Sequence, residues 1–325
     1  MKKIAVFTSG GDAPGMNACI RAVVRTALYY GMAIVGIKRG YEGMIENNMS
    51  PMGSRDVSNI IQKGGTILQS ARSKRFRTPE GRKIAYENLK KSGIDGIVAI
   101  GGDGTFTGAN IFCQEYPDIK MVGVPGTIDN DLYGTDFTIG FDTAINTAME
   151  AIDKIKDTAD AHNRLFFVEV MGRDAGFIAM QSGIATGAEA ILIPESKTSI
   201  DKVSDTLREN HRRKKSSSIV IVAEGDDEGG AFAIAEKVKQ QFDEYDTRVT
   251  VLGHIQRGGS PTCAERVLAS RLGMESVKAL INGQSKVMIG QVHKDIVYTP
   301  FEKAIKYNRR VRPVFAHLAE VLSYH

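Results

Sequence analysis

The sequence has little net charge, few cysteines and no long hydrophobic run. Its 42 basic and 38 acidic residues give a formal charge of +4, which does not favour a nucleic-acid partner or a membrane surface. Cys19, Cys113 and Cys263 are far apart and lack metal-ligand spacing, so we expect reduced thiols in a cytoplasmic protein. No apolar stretch approaches the roughly 20 residues of a spanning helix, and the run at residues 4–7 is too short for a signal peptide.

Glycine, in contrast, is abundant, and it follows short apolar runs. The 34 glycines among 325 residues exceed the usual share of about 7%. The apolar runs that end in glycine and polar residues are 4–7, 97–100, 121–124, 165–170, 219–223 and 249–252. Continuous apolar runs of this length are typical of strands buried on both faces. The helical segments that lie between them are 17–30, 79–91, 143–159 and 200–214.

The alternation of strands and helices predicts an α/β fold. A chain of 325 residues is too long for one hydrophobic core. We therefore expect two lobes, each a mainly parallel sheet flanked by helices, with the active site in the cleft between them. The first lobe would comprise residues 1–140 and about 253–303, and the second residues 141–252 and about 304–325.

Two glycine-rich turns are candidates for phosphate binding. The turn at residues 10–15 precedes a helix, so its backbone N–H groups could hold phosphate oxygens, with a tight structural turn as the alternative. Met16 and Asn17 exclude a Walker loop there, and Asp12 excludes the dinucleotide fingerprint. In the turn at residues 101–105, two glycines allow a phosphate to approach and Asp103 offers an oxygen to Mg²⁺, with an Asx turn as the alternative.

The loop at residues 125–131 carries two carboxylates and a hydroxyl group. Phosphoryl transfer to a sugar needs a base near the acceptor hydroxyl and an acid that helps to hold metal, and Asp129 and Asp131 suit that division. A solvated acidic turn is the alternative, which the position of the loop at a predicted strand end disfavours.

Cations near the predicted strand ends form a further group of candidates. Arginine pairs with phosphate through two parallel hydrogen bonds, so such a set suits a doubly anionic sugar phosphate. The candidates are Arg72, Arg164, Arg173, Arg248, Arg257 and His254. The basic run at residues 208–215 is interpreted as a solvated helix end, with an anion site second and nucleic-acid binding third.

Together these motifs resemble those of bacterial ATP-dependent 6-phosphofructokinases over almost the whole chain. The matching blocks are TSGGDAPGMNA, GGT-x3-SAR, GGDGT, PGTIDND, GTDFTIGFDTA, VEVMGRDAG, VAEG and VLGHIQRGGSPT. The resemblance implies MgATP-dependent phosphorylation of the 1-hydroxyl of fructose 6-phosphate. It also implies that the first lobe binds ATP and the second binds the sugar phosphate.

The resemblance further implies a role for each matching residue. The ATP site would be lined by Gly11, Tyr41, Arg72, Ser73, Gly102, Asp103, Gly104, Thr105 and Gly108, and Asp103 would hold Mg²⁺. Asp129 would be the general base, with Thr127 beside it and Asp131 assisting with metal or water. Arg173 and Arg72 would balance the charge that develops on the transferred group.

The implied sugar-phosphate site involves a second subunit. Besides Thr127, Asp129, Asp131 and Arg173, the contacting residues would be Met171, Gly172, Glu224, His254 and Arg257. Arg164 and Arg248 would reach the sugar phosphate from a neighbouring subunit, typically within a homotetramer.

Two glycines bear on the phosphoryl donor. Pyrophosphate-dependent relatives usually have Asp and Lys at the positions of Gly104 and Gly126. A side chain at position 104 would crowd the α-phosphate of a nucleotide, and Lys at position 126 would bind a small polyanion. Both positions are glycine in this chain, so we predict that ATP is the donor. A pyrophosphate-dependent enzyme, a non-catalytic nucleotide sensor and a nicotinamide dehydrogenase are the alternatives. The retained carboxylates at 103, 129 and 131 argue against the sensor, and the missing fingerprint argues against the dehydrogenase.

The chain departs from the family pattern in two places. Residues 73–76, Ser-Lys-Arg-Phe, replace an aromatic residue or Cys followed by Pro-Glu-Phe, which adds two positive charges near the expected nucleotide pocket. A family site for ADP or phosphoenolpyruvate is matched only in part, so we predict weakened or altered effector control. Its candidate residues are Arg21, Arg25, Lys156, Glu189, Arg213 and Lys215. Positions that differ from those of relatives are Ser54, Asn59, Lys156, Ser216 and Ser217.

Overall fold

The chain folds into two compact units, each with its own sheet. The structure, a computed structural model, describes residues 1–162, 164–215 and 217–323. Unit 1 comprises Met1–Ile128, Leu132–Thr143 and Arg257–Arg309. Unit 2 comprises Asp129–Asp131, Ala144–Gln256 and the described residues from Arg310 onward.

The strands and helices alternate along most of the chain. The strands are β1 (Lys3–Thr8), β2 (Ala33–Ile37), β3 (Met49–Pro51), β4 (Gly96–Gly101), β5 (Lys120–Pro125), β6 (Arg164–Val170), β7 (Ala190–Leu192), β8 (Ser218–Ala223), β9 (Asp246–Val251), β10 (Val287–Val292) and β11 (Asp295–Pro300). The helices are α1 (Met16–Tyr29), α2 (Gly40–Ile45), α3 (Pro79–Lys91), α4 (Asp103–Glu115), α5 (Phe141–Asp160), α6 (Phe177–Thr186), α7 (Ile200–Arg212), α8 (Ala231–Gln241), α9 (Cys263–Ile281), α10 (Phe301–Lys306) and α11 (Pro313–Leu322).

The sheet of unit 1 has seven strands in the order β11-β10-β5-β4-β1-β2-β3. Neighbours from β10 to β2 pair in parallel, whereas β11 and β3 are antiparallel edge strands. The chain leaves β1 for β2 on one side and returns to β4 on the other, so the strand order reverses between β1 and β4. In open parallel sheets, ligands bind beyond the carboxyl ends of the strands at such a reversal.

The sheet of unit 2 has four strands in the order β7-β8-β6-β9, and all of its pairs are parallel. β8 is buried along its whole length, whereas residues of the edge strand β9 are partly or fully accessible. The predicted α/β class, with mainly parallel sheets flanked by helices, is confirmed in both units. Among the described residues, no helix combines the length and apolar character needed to cross a membrane.

Local signals account for the helix at residues 79–91, which is observed with the predicted bounds. Pro79 is the first helical residue, where a missing N–H costs nothing. Thr78 precedes it, and its Oγ1 accepts the N–H of Gly81 at 3.1 Å. Lys90 and Lys91 end the helix with favourable charge.

A buried carboxylate joins the beginnings of α5 and α9 within unit 1. Glu265, which is fully buried, accepts hydrogen bonds from the N–H and the Oγ1 of Thr143, at 3.2 and 3.3 Å. Thr262 caps α9 by accepting the N–H of Glu265 at 3.2 Å. Burial raises the pKa of Glu265 from 4.5 to about 7, although N–H groups of Gly140 and Thr143 act in the opposite direction.

We predict that Glu265 makes stability depend on pH. The folded chain keeps the Glu265 proton up to about pH 7, whereas the unfolded chain releases it near 4.5. Stability from this proton is therefore complete below about pH 4.5 and is lost as the pH rises to about 7. Glu265→Gln has no proton to release at this position. The unfolding temperature of the variant minus that of the unchanged chain should therefore increase as the pH is raised from about 5 to about 8. A difference that stayed constant over this range would contradict the prediction.

Candidate active site

Three of the predicted motifs lie side by side at one edge of the unit 1 sheet. β5, β4 and β1 are neighbours, and their carboxyl ends lead into residues 125–131, 101–105 and 9–15. Backbone pairing continues past the strands, since the N–H of Ser9 donates to Ile100 O and that of Gly126 donates to Gly101 O, each at 3.0 Å. Parallel pairing therefore brings the motifs together where the strand order reverses.

The loop after β5 begins against the loop after β4. A Cβ atom at Gly102 would lie 3.6 Å from Thr127 Cβ. Thr138, which is fully buried, donates from its Oγ1 to the carbonyl oxygen of Thr127 at 2.6 Å and so fixes the backbone there. Thr127 thus lies next to the turn that carries Asp103, and Asp129 follows two residues later in the chain.

The loop after β1 packs against Arg257. A Cβ atom at Gly11 would lie 2.6 Å from Arg257 Nη1, so a larger residue there would displace the Arg257 guanidinium. The same nitrogen donates to the carbonyl oxygen of Asp12 at 3.3 Å. Within unit 1, Arg257 therefore contacts the loop that was assigned to ATP.

Tyr41 connects α2 to the first turns of α4. Its hydroxyl donates to the carbonyl oxygen of Thr105 at 2.5 Å. A Cβ atom at Gly108 would lie 3.0 Å from the Tyr41 ring, so a larger residue there would press on the ring. Burial raises the pKa of Tyr41 well above its usual value, so the phenol stays protonated and acts as a donor.

Asp103 is the candidate magnesium ligand, and its surroundings fit that role. It is the first residue of α4, partly buried and flanked by Gly102 and Gly104. A Cβ atom at Gly104 would meet no atom of a more distant residue within 4 Å, so the space at position 104, next in the chain, is open. Mg²⁺ keeps several waters and is typically held by one or two carboxylates and by substrate phosphates, so a single acidic residue suffices.

Asp129 and Asp131 belong to unit 2 and lie in a short turn. Asp129 is only 7% exposed, and Asn130 is 2% exposed. Asn130 has a left-handed backbone with φ 56°, which asparagine tolerates better than most residues. This burial argues against the alternative of a solvated acidic turn.

Predicted sugar-phosphate residues meet at the carboxyl ends of β6 and β8 in unit 2. The N–H of Arg173 donates to Glu224 Oε1 at 2.7 Å. Arg173 has a left-handed backbone, with φ 57°. A Cβ atom at Gly225 would lie 2.1 Å from the carbonyl oxygen of Arg173, so the two loops are in direct contact.

Gln256 joins this group to the turn that carries His254. The N–H of Met171 donates to Gln256 Oε1 at 3.3 Å, and Gln256 Nε2 donates to Gly253 O at 3.0 Å. Gln256 is fully buried, so both interactions are protected from water. Unit 2 therefore brings together the strand ends that carry Met171, Gly172, Arg173, Glu224 and His254.

Arg164 and Arg248 lie elsewhere in unit 2, so the expectation that all the candidate cations cluster at strand ends was wrong. Arg164 begins β6, and Arg248 lies inside β9. Both pair with Asp246 Oδ2, at 3.2 and 2.8 Å. The length of β6 separates Arg164 from the Met171 loop by roughly 20 Å, because a strand rises about 3.3 Å per residue.

The charges added at residues 73–76 are balanced in part within unit 1. Arg75 Nη1 lies 2.9 Å from Glu42 Oε1, and Ser73 Oγ donates to the other oxygen of Glu42. Arg72 itself is exposed. The sequence predicted extra positive charge near the nucleotide, but one of the two added cations has an acidic partner.

Four of the effector candidates lie in unit 2. Lys215 pairs with the buried carboxylate of Glu189 at 2.5 Å. Lys156 Nζ donates to the carbonyl oxygen of Thr186, near the same loop. Arg213 follows the last residue of α7 and pairs with Glu209 on that helix.

The other two effector candidates, Arg21 and Arg25, lie one turn apart on α1 in unit 1. Burial and, secondarily, the charge of Arg25 lower the pKa of Arg21. Ser216, named among the departures from the family pattern, lies outside the described residues.

The sequence did not predict several residues that form hydrogen bonds or ion pairs with the candidate site residues. They are Glu42, Thr138, Asp246 and Gln256. Asp246 could have been found, because it lies two residues before Arg248 on the same face of a strand. Thr138 and Gln256 carry no such signal, because they act through contacts that only the fold creates.

Comparison with known proteins gives a consistent result. The profile of the family named Phosphofructokinase matches residues 3–280. ATP-dependent 6-phosphofructokinase 2 of Bacteroides thetaiotaomicron is 56% identical over 323 residues, which are 99% of each chain. ATP-dependent 6-phosphofructokinase 1 of Thermus thermophilus is 56% identical over 323 residues, which are 99% of this chain and 100% of that protein.

Solved structures agree with these relatives. Phosphofructokinase from Saccharomyces cerevisiae superimposes with a TM-score of 0.89 at 37% identity. The match covers 99% of this chain and 47% of the yeast chain, so this chain spans about half of that length. The pyrophosphate-dependent phosphofructokinase from Nitrosospira multiformis has a TM-score of 0.85 at 20% identity, over 100% of this chain and 92% of that one, and supports the fold alone. The chain belongs to the phosphofructokinase family.

Proposed function

We propose that this chain transfers the γ-phosphoryl group of MgATP to the 1-hydroxyl of D-fructose 6-phosphate. The products are fructose 1,6-bisphosphate and ADP, and the reaction is the committed step of glycolysis. The observation that carries this proposal is the meeting of two glycine-rich turns and a carboxylate-bearing loop at the ends of β1, β4 and β5. A coupled assay with ATP and fructose 6-phosphate, repeated with pyrophosphate, tests it, and turnover with pyrophosphate alone would refute it.

Unit 1 is proposed to bind the nucleotide. Backbone N–H groups in the turns after β1 and β4, together with the start of α4, are suited to phosphate oxygens. The residues assigned to ATP are Gly11, Tyr41, Arg72, Ser73, Gly102, Asp103, Gly104, Thr105 and Gly108. Asp103 would hold Mg²⁺, which when bound neutralises charge on the phosphates.

Asp129 is proposed to accept the proton of the 1-hydroxyl as its oxygen attacks the γ-phosphorus. Its burial limits competing water and favours a fixed orientation of the carboxylate. Thr127 lies beside it in the loop, and Asp131 assists with metal or water. Arg72 and Arg173 would stabilise charge on the transferred group through hydrogen bonds from their guanidinium nitrogens.

The sugar phosphate is assigned to a set of residues from two subunits. From one subunit they are Thr127, Asp129, Asp131, Met171, Gly172, Arg173, Glu224, His254 and Arg257. Arg164 and Arg248 are assigned from a neighbouring subunit, because roughly 20 Å of strand separates Arg164 from the Met171 loop within one chain. The site would then be complete only in an oligomer, for which we propose a homotetramer in the cytoplasm.

Effector binding is proposed at Arg21, Arg25, Lys156, Glu189, Arg213 and Lys215, with ADP or phosphoenolpyruvate as the ligand. Glu189 and Lys215 already neutralise each other, and Lys156 donates to a backbone carbonyl. Lys156 and Lys215 already have partners within the protein, and an effector would have to replace them. This supports the prediction that effectors regulate the activity only weakly. Strong inhibition by phosphoenolpyruvate in a kinetic titration would contradict this proposal.

Replacement of the proposed base should abolish most turnover. We expect Asp129→Ser to lower kcat by at least ~10²-fold and to leave fructose 6-phosphate binding nearly unchanged. Steady-state kinetics and equilibrium binding of the sugar check this. Asp205→Ser, which removes an exposed carboxylate on α7, is the control and should keep normal turnover. Near-normal kcat in Asp129→Ser would remove Asp129 from the role of base.

Loss of Arg164 should weaken binding of the sugar phosphate. We expect Arg164→Ala to raise the KM for fructose 6-phosphate at least ~10-fold, because a phosphate partner is deleted, with a smaller effect on kcat. At a fructose 6-phosphate concentration well below the raised KM, both variants should turn over slowly. Oligomers assembled from a mixture of Arg164→Ala and Asp129→Ser chains should then be more active than the average of the two separate proteins, since some sites combine an intact Asp129 with an intact Arg164. A mixture no more active than that average would contradict sharing of sites.

Position 104 should decide the phosphoryl donor without affecting the fold. A Cβ atom there meets no protein atom within 4 Å, so Gly104→Asp should keep the unfolding temperature of the unchanged chain. We expect its KM for ATP to rise by more than about tenfold, because the carboxylate would repel phosphate oxygens at short range. Gly126→Lys is the comparison, since a Cβ there would lie 3.0 Å from Ile100 Cγ2, and it should lower the unfolding temperature. Unchanged ATP kinetics in Gly104→Asp would refute this explanation of donor choice.

A further inference from the structure

Both carboxylate oxygens of Glu42 are engaged by the segment that follows Arg72. Glu42 lies on α2, and its side chain is only 12% exposed. Ser73 Oγ donates to Oε2, and Arg75 Nη1 donates to Oε1 at 2.9 Å. Hydrogen bonds to an ionised carboxylate are stronger than neutral ones, and here two of them hold one short segment.

The same segment is fixed further by its own backbone and by an aromatic contact. Ser73 Oγ accepts the N–H of Phe76 at 3.1 Å, at the start of the 3-10 turn Arg75–Arg77. The Phe76 ring stacks on that of Tyr41, with ring centres 4.0 Å apart and planes inclined by 19°. Residues 73–76 are therefore attached to two consecutive residues of α2.

A second attachment lies on the other side of Arg72. Ser70 Oγ donates to the carbonyl oxygen of Gly10 at 2.5 Å, and Thr8 Oγ1 donates to that of Gln69 at 2.8 Å. Arg72 lies between these two attachments, and its side chain forms no hydrogen bond or ion pair with other described residues. The position of Arg72 therefore depends on the anchors on either side of it.

Helix α2 also reaches the turn that carries Asp103, through the Tyr41 hydroxyl and Thr105. We infer that Glu42 is a positioning residue for the nucleotide, which holds Arg72 and Ser73 in a fixed place relative to the Asp103 turn. The inference rests on the proposed function, because it assigns Glu42 to the ATP side of that reaction. Ser73 and Arg75 donate to the two carboxylate oxygens of Glu42, so the effect of Glu42 on the nucleotide would pass through these residues.

The test compares Glu42→Ala with a matched variant of the same helix region. Glu46 also forms an ion pair, 3.0 Å from Arg39, but its side chain has no hydrogen bond or ion pair with the described residues 72–76, so Glu46→Ala is the control. In Glu42→Ala we expect the KM for MgATP to rise about tenfold and kcat to fall, as for loss of charge-assisted hydrogen bonds. The KM for fructose 6-phosphate should change by less than about twofold, and Glu46→Ala should keep all three values.

Ser73→Ala separates anchoring from charge, because it removes the same attachment without changing net charge. It should raise the KM for MgATP, as Glu42→Ala does. Glu42→Gln keeps a hydrogen-bond acceptor, so its KM for MgATP should lie between that of Glu42→Ala and that of the unchanged chain. A lower KM for MgATP in Glu42→Ala would mean that Glu42 only offsets the charge of Arg75, which would overturn the inference. Equal changes in the KM values of both substrates would also overturn it, since they would indicate general damage.

Direct binding of MgATP, measured by calorimetry without the sugar, distinguishes this inference from the proposed function. If the unchanged chain binds MgATP but does not phosphorylate fructose 6-phosphate, the proposed function fails. A weaker affinity of Glu42→Ala than of Glu46→Ala would then still support positioning of the nucleotide. Equal MgATP affinities in the two variants would refute the inference, whatever the acceptor.

Discussion

Parallel hydrogen bonding between β1, β4 and β5 is the interaction on which the candidate site depends. Thr8 pairs with Ile100, and Gly101 pairs with Pro125, so the three strands end level with one another. Because they run in the same direction, the turns that follow them emerge at one edge of the sheet. An antiparallel neighbour would carry its turn to the opposite edge, about 20 Å away for a strand of this length.

The second sheet uses the same principle for different chemistry. The N–H of Arg173, after β6, donates to Glu224, after β8, and Gln256 joins the N–H of Met171 to the turn after β9, so three strand ends of this sheet meet. Arg164 and Arg248 are the exceptions, because they share Asp246 far from those ends. The residue type alone therefore did not predict where these two arginines lie. Their positions within β6 and β9 decide it.

Buried polar groups help to hold the loops of the candidate site in place. Thr138, Gln256 and Glu42 each join a loop of the candidate site to a neighbouring segment, and each has little exposed surface. Such hydrogen bonds are costly to break without replacement, because the groups left behind would be buried and unsatisfied. This explains how loops rich in glycine, which are flexible as isolated peptides, are held in defined positions.

The amino-acid sequence alone determined the α/β class, the bounds of α3, the two glycine-rich turns and the carboxylate-bearing loop, because these follow from local patterns of burial, capping and turn chemistry. Through its resemblance to a family, it also indicated the reaction. Only the tertiary structure decided which residues meet. Glu42 and Ser73 are distant in sequence, and Gly11 lies far from Arg257. Periodicity describes one element at a time, whereas these contacts depend on how the sheet orders its strands and on loop paths that the pattern does not encode.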